Sequence, residues 1–421
     1  MALHPGWIFV LALGVAWIVG WRWRWPLPLI LLAAAVLAAA LAGFGLPLRH
    51  LVEGGFGYFN LILALFAGCF FGQALRLSGA ADATAQVLAN ALRQNRAAMV
   101  VLAGLLIFLA GMFTGLAGVA VLAMGVFAAP LLAQTGMARH RIAAFLAVMA
   151  TLGMIAPPVD VPAMVMADGV NMPYAKFAGP MLAVSLPPAL LALVLFARPG
   201  QGEPPPSQPD GAGVGAAPGL AALVFVIGFW ALLRLFPTHI PDPAVPIILV
   251  LGAIPALARL KRRSWTTLFE ATFTGTPLML AAVLVTVGIA VQVMTLTGIR
   301  GWLVINAMAF PWPWIVPALA SLPLFGGVLT SVGTANILGV PFAFAFIHQD
   351  MIVNISALTG IAALSEFCPP TAIAAVLSGY LVGETSLRRI LAAAWPPLAL
   401  LLVLSVAMLL LAPRLAPLLV G

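Results

Sequence analysis

One order of landmarks runs through this chain twice. An apolar stretch at 51–92 is interrupted by Leu77-Ser78-Gly79, and another at 268–308 by Leu296-Thr297-Gly298. A Gly/Thr-rich interruption follows at Thr114-Gly115-Leu116-Ala117-Gly118, and again at Thr330-Ser331-Val332-Gly333-Thr334-Ala335-Asn336. Each half then sets a double proline inside an apolar segment, at Pro157-Pro158 and at Pro369-Pro370. The offsets between copies are 219, 216 and 212 residues (Leu77 to Leu296, Thr114 to Thr330, Pro157 to Pro369), a small drift. A chain built this way is expected to fold as two related halves, 1–199 and 219–421, joined by a linker at 200–218.

The medium around those halves follows from charge. Only 7% of residues are charged and 63% are hydrophobic, against about 25% charged in a soluble domain, so the outer surface must face lipid. The 40 glycines and 35 prolines fit membrane helices, where neighbouring helices or a wet cavity satisfy the freed backbone groups. Cys69 and Cys368 both lie in apolar segments and suggest neither a disulfide framework nor a metal site. The first apolar stretch ends in Trp21-Arg22-Trp23-Arg24-Trp25, an interfacial anchor rather than a signal-peptide cleavage site. Residues 200–218, rich in Gly, Pro and polar side chains, cannot bury enough apolar area to order themselves and read as a tether.

Spans are expected at 7–21, 27–46 and 59–75, then a re-entrant hairpin over 97–132, a broken span at 142–166, and a span at 177–196. The second half repeats this with 220–233, 245–258, 278–296, a hairpin over 313–347, a broken span at 352–381, and 391–411. A hydrocarbon core of about 30 Å needs roughly 20 helical residues, so the shorter spans borrow flanking residues. The expectation is an all-α polytopic membrane protein with an inverted-topology repeat, about ten transmembrane helices and two re-entrant hairpins. Five crossings per half turn the second copy over.

Basic residues check this topology independently. One side receives Arg22, Arg24, Arg76, Arg93, Arg96, Arg139, Arg141, Arg198, Arg259, Lys261, Arg262, Arg263, Arg388 and Arg389, and the other Arg49, Lys176, Arg234, Arg300 and Arg414. That is 14 of the 19 Lys/Arg on one side and 5 on the other. The richer side is cytoplasmic by the positive-inside rule, which puts both termini in the periplasm. The net charge of +8 is thereby explained by topology, and no nucleic-acid partner is expected.

Chemistry is expected at the four interruptions. Paired, broken hydrophobic segments in two halves mark the binding region of secondary transporters. A helix that stops inside a membrane exposes backbone N–H and C=O groups that must face protein or water. Carbonyls there can hold a cation and helix N-termini an anion. The candidate substrate- or ion-binding residues are Thr114, Gly115 and Gly118 at the first tip, with Gly153, Pro157, Pro158 and Asp160 at the first double proline. In the second half they are Ser331, Gly333, Thr334 and Asn336, with Glu366, Pro369, Pro370 and Thr371. Hydroxyl, amide and carboxylate oxygens suit a hard cation, so Na⁺ is a candidate ligand of Thr114, Gly115, Ser331, Thr334, Asn336 and Glu366. The bland alternative is that small residues merely permit close helix packing and that the carboxyls of Asp160 and Glu366 bond unwound backbone. Carboxylates at membrane depth usually mark ion or proton pathways.

Gly55-Phe56-Gly57-Tyr58-Phe59-Asn60 leading into 61–72, the Gly-rich hairpin and Gly153-Met154-Ile155-Ala156-Pro157-Pro158 resemble the large membrane subunit of TRAP (tripartite ATP-independent periplasmic) transporters. Pro369-Pro370 ahead of Leu377-Ser378-Gly379 is similar to that family's C-terminal repeat. The likeness covers the whole chain in length and order and lies within the wider ion-transporter superfamily. It implies an elevator mechanism, in which hairpins and broken helices slide as one body against a scaffold that includes 7–46 and 220–258. It also implies Na⁺-coupled uptake of a small organic acid across a bacterial inner membrane, helped by a small membrane subunit and a periplasmic binding protein. Asp160 and Glu366 stand where the family pattern has uncharged residues.

Other readings stay open. One is a proton-coupled or stand-alone permease or exporter of the same superfamily, without TRAP partners. A channel would need a continuous polar lining, whereas polar residues cluster here at four points. A membrane enzyme would need a nucleophile, base or metal constellation. The five histidines (His4, His50, His140, His239, His348) fall in expected loops or termini, and no His-Glu-x-x-His occurs. No enzyme activity and no cofactor beyond Na⁺ or H⁺ as coupling ion is expected. Cysteine-accessibility labelling in intact cells checks the topology: positions 93, 96, 139 and 261 should be shielded from impermeant reagent and both termini labelled, and a shielded C-terminus would break the five-plus-five count.

Overall fold

The computed structural model describes residues 4–198, 215–236, 239–309, 322–346 and 349–420. Most of the linker and the start of the second hairpin at Pro313 lie outside these residues. The chain is all-helical, 81% helix with no strand among the described residues. Among the described residues seven helices are long and apolar enough to cross a membrane: Pro5–Arg22, Phe59–Leu77, Arg96–Thr114, Ala178–Ala197, Ser264–Leu296, Leu322–Ala345 and Leu387–Leu419. It is a membrane-embedded protein.

The first half runs α1 (Pro5–Arg22), α2 (Leu27–Leu41), α3 (Leu48–Phe56), α4 (Phe59–Leu77), α5 (Ala80–Ala91), α6 (Arg96–Thr114), α7 (Ala117–Ala133), α8 (Arg139–Met154), α9 (Val161–Gly169) and α10 (Ala178–Ala197). The second runs α11 (Ala217–Leu235), α12 (Ala244–Leu257), α13 (Ser264–Phe273), α14 (Thr276–Leu296), α15 (Ile299–Met308), α16 (Leu322–Thr334), a π-helical turn (Ala335–Gly339), α17 (Val340–Ala345), α18 (Met351–Ala363), a 3₁₀ turn (Leu364–Phe367), α19 (Ile373–Val382) and α20 (Leu387–Leu419).

Local chemistry sets most of these boundaries. The Asn95 side chain accepts from Ala98 N–H at 3.2 Å, opening α6. Gly115, at φ +64, ends it, because the left-handed conformation that closes a helix favours glycine. Asp350 opens α18 by accepting from Val353 N–H at 2.9 Å. The short helices α3, α5, α13 and α15 are not anticipated by an apolar-span reading. They are too short to cross, and α3 reaches the bundle through glycine: a Cβ on Gly54 would lie 2.6 Å from Ile289 Cα of α14. The last helix also exceeds the expected 391–411, running 33 residues, or about 50 Å. It therefore extends past the bilayer core, and Arg388, Arg389 and Arg414 occupy its two ends.

The centre of the molecule is α7 and α8. Every residue from Ala117 to Ala128 of α7 and from Ile142 to Met154 of α8 is buried. A helix apolar and buried all round belongs inside a bundle, and α6, α19 and α20 pack around this pair. By contrast α1, α11 and α12 expose Trp7, Ile18, Val224, Ile247 and Ile254, side chains that suit lipid. Helix α8 approaches its neighbour α6 through glycine as well. A Cβ on Gly153 of α8 would overlap the Phe108 carbonyl of α6, whereas one on Gly14 of α1 meets nothing within 4 Å. Gly153→Ala is expected to cost about 1–3 kcal/mol and lower the thermal midpoint of the purified protein, while Gly14→Ala should leave it unchanged or higher; equal midpoints for both would contradict the packing.

Candidate functional site

Both tips and both double-proline breaks come to the middle of the bundle. The first tip is the turn Thr114-Gly115-Leu116 between α6 and α7. It lies on the first broken helix: a Cβ on Gly115 would sit 2.9 Å from Val159 and 2.8 Å from Val161, and one on Gly111 would sit 2.7 Å from Met154 N. The second tip is Thr330, whose φ of +65 and ψ of +167 interrupt α16. It lies on the second broken helix, where Thr371 N–H donates to the Gly327 carbonyl at 2.9 Å. A Cβ on Gly327 would overlap the Pro369 carbonyl, so only glycine permits this approach.

The pairs also cross. Gly118 of α7 faces Ile373 and Leu377 of α19, while Gly339 and Gly169 bring the π turn, α17 and α9 together through Met166 and Val340. Gly118 thus touches the far arm of the second break, and Gly339 the far arm of the first. One cavity of about 50 Å³ collects the result, lined by Leu116 and Gly118 of the first hairpin, Thr330 and Ser331 of the second, and Met154 and Glu366 of the two breaks. Leu61 and Leu65 of α4 and Leu284 of α14 close it. A water needs about 10–15 Å³ by this measure, so the volume is that of a few waters, and Thr330, Ser331 and Glu366 are the polar residues in an otherwise apolar lining. A roomier cavity of about 210 Å³ lies between the first tip (Phe113, Thr114, Val159) and α11–α12 (Trp230, Val245, Ile248), with Asp242 beside it.

Glu366 holds the second break together. Its Oε1 accepts from the Ser331 hydroxyl and its Oε2 from Ala374 N–H at 3.0 Å. The second bond caps α19, whose residue Ala372 has φ +38 and no side chain able to cap. Asp160 does the corresponding work at the first break by a shorter route: it is the N-cap of α9, with Oδ1 accepting from Ala163 N–H at 2.9 Å. Its Oδ2 is buried and has no partner among the described residues. Both carboxylates therefore sit at helix N-termini, where backbone N–H groups favour negative charge.

The six candidate Na⁺ ligands do not form one cluster. Ser331 and Glu366 bond each other. The Thr114 hydroxyl donates to Ala110 O at 2.7 Å, the Thr334 hydroxyl to Thr330 O at 2.7 Å, and Gly115 only ends α6. Asn336 turns to other neighbours, its Nδ2 donating to Tyr58 Oη at 3.4 Å and its carbonyl accepting from Arg300 at 3.3 Å. Gly333 packs against Val287 of α14. At the second break the buried Ser365 Oγ and Thr371 Oγ1 have no partner among the described residues. Among the described residues no three His, Cys, Asp or Glu gather as a metal site.

Sequence reasoning missed Tyr58 and Arg300 as partners of Asn336, because contacts between distant segments carry no local signal. It also passed over the cap role of Asp160, which the run Asp160-Val161-Pro162 does signal: an N-cap residue followed by proline in the first turn. Because a glutamine can offer its oxygen to Ala374 N–H and its NH₂ to Ser331, Glu366→Gln should leave the thermal midpoint nearly unchanged. Glu366→Ala removes the cap and strands a buried hydroxyl and N–H, a loss of about 2–4 kcal/mol; equal melting of the two variants would contradict this geometry. Comparison of the chain with protein-family models and with curated proteins finds no match.

Proposed function

We propose that this chain is a secondary active transporter that couples the flow of a cation to uptake of a small organic acid across the bacterial inner membrane. The observation that carries the proposal is the convergence of two hairpin tips and two helix breaks on one small cavity beside the buried Glu366. Backbone left unsatisfied by a break is tolerated at membrane depth only against protein or a wet cavity. Broken helices in corresponding halves are how transporters build such a site.

An inverted repeat is supported by element order and by reciprocal packing. Elements α1 to α10 and α11 to α20 follow the same order of elements and breaks: a bent pair (α3–α4, α13–α14), a short helix after Gly79 or Gly298, a hairpin, a helix broken at double proline, and a final span. Gly118 against Ile373, and Gly339 against Met166, are the contacts expected of two copies facing each other. In this reading there are about ten crossings with both termini periplasmic. The hairpins and broken helices form the moving body of an elevator, and α1, α2, α11 and α12 belong to the scaffold. The resemblance to the TRAP large subunit supports partnership with a small membrane subunit and a periplasmic binding protein.

One observation favours a second reading. Asp160 Oδ2 is buried without a partner, which suits a carboxyl that carries a proton of its own, and so a proton-coupled permease working without those partners. Reconstitution separates the two. Counterflow of radiolabelled carboxylates in proteoliposomes should require the protein, with uptake driven by an inward Na⁺ gradient in the first reading and by a proton gradient in the second. Glu366→Gln should lower ion-driven uptake at least tenfold at equal protein in the membrane, and Asp160→Asn less. Normal transport with unchanged Na⁺ and pH dependence in both variants would leave the carboxylates structural; no counterflow of any carboxylate would remove the proposal.

A further inference from the structure

A second chemically distinct place lies at the helix ends, away from every break. A cavity of about 540 Å³ opens where α8 begins, α10 ends and α20 begins, lined by His140, Arg141, Leu195, Phe196, Arg198 and Arg389 with Ala392, Ala393 and Pro396 of α20. Arg141, Arg198, Arg389 and His140 line it, and among the described residues no acidic side chain does. Among the described residues the one ion pair is Arg49–Glu53, on α3, so none of these arginines has a carboxylate partner there.

Two of the arginines are held in place. Arg141 donates Nη2 to the Leu195 carbonyl at 3.2 Å and lies 5.6 Å above the Phe196 ring. Arg96 ties down the end of α10 by donating to the carbonyls of Ala197 at 3.2 Å and Arg198 at 3.0 Å. With its own backbone fixed, Arg198 keeps its exposed side chain for the cavity. Like charges gathered at one mouth repel, so an anion between them relieves a cost the protein does not itself offset.

The other half of the lining identifies the anion's source. Leu195, Phe196, Ala392, Ala393 and Pro396 give the cavity an apolar side continuous with the helix faces. Trp395, two turns into α20 and next in sequence to Pro396, is 63% exposed. Exposed Trp is enriched at the level of lipid headgroups, and basic pockets between transmembrane helices recognise anionic headgroups. We propose that this cavity is a binding site for an anionic phospholipid, with the phosphodiester between Arg141, Arg198 and Arg389 and an acyl chain along Leu195 and the first turns of α20. Such a lipid bridges α8, the first arm of a broken helix, to α10 and α20.

The test uses the full-length purified protein in neutral detergent, with dioleoyl phosphatidylglycerol, dioleoyl phosphatidylcholine and inorganic phosphate as separate probes. Phosphatidylglycerol should raise the thermal midpoint and stay bound in native mass spectra, while the other two do neither. Arg198→Gln with Arg389→Gln, both at exposed positions, should leave the lipid-free midpoint unchanged and weaken phosphatidylglycerol binding about thirtyfold. Arg262→Gln, on an exposed loop of the expected basic side, should change nothing. Equal stabilisation by phosphatidylcholine would overturn the site, as would inorganic phosphate matching the lipid. An Arg262→Gln loss as large as the double variant's would reduce it to general surface attraction.

Discussion

Everything at the centre of this molecule depends on one constraint: backbone polar groups in a buried, apolar interior must be satisfied by protein. Four times the chain stops a helix there, and each time it supplies a specific remedy. At Thr114 the hydroxyl bonds the carbonyl one turn back and accepts the N–H of Leu116. At Thr330, Gly333 N–H and the Thr334 hydroxyl close over the break. At the two double prolines, Asp160 and Glu366 cap the restarted helices. Glycines at 111, 153 and 327 then allow backbone to meet backbone, while Gly115 makes room for the side chains of Val159 and Val161 and Gly326 for that of Ser365.

The remedies are unequal, and the inequality bears on function. Asp160 caps only its own restarted helix, whereas Glu366 joins its break directly to the second hairpin through Ser331. Moving that hairpin away from the second break therefore breaks a buried side-chain hydrogen bond, while moving the first hairpin breaks chiefly van der Waals contact. Asn336 adds a further link, from the second hairpin to Tyr58 and Arg300 outside the hairpins. The second hairpin is thus tied both to its broken helix and to the surrounding spans, as a gate sensing an occupant would be. In the proposed cycle a cation at Glu366 competes with Ser331 for the carboxylate, which gives binding a direct route to that hairpin.

Much of this was legible in the residues. The broken helices are written as Pro157-Pro158 and Pro369-Pro370, and the tips as Thr-Gly and Thr-Ser, but Pro-Pro alone does not spell a break, since Pro187-Pro188 of α10 and Pro396-Pro397 of α20 lie inside continuous helices. The helices at 5–22, 96–114 and 178–197 follow from apolar length alone. The short helices α3 and α13 were not legible as such, since their polar faces break the apolar run that a span reading seeks. Nor was the scatter of the six proposed Na⁺ ligands. Local spacing says that Ser331, Thr334 and Asn336 share one segment, but the π turn at 335–339 and the packing on Tyr58 decide where each side chain goes.

The central claim is that hairpins and broken helices move as one body past the remaining spans. Gly68 of α4 and Leu122 of α7 face each other across that boundary: a Cβ on Gly68 would lie 3.4 Å from Leu122 Cβ, close to the separation a disulfide requires, about 3.5–4.5 Å. The decisive measurement is counterflow in proteoliposomes by a Gly68→Cys, Leu122→Cys protein with Cys69 and Cys368 replaced by Ala, before and after reduction. The account predicts that the oxidised, cross-linked protein is inactive and that reduction restores transport. Full activity of the cross-linked protein would contradict it.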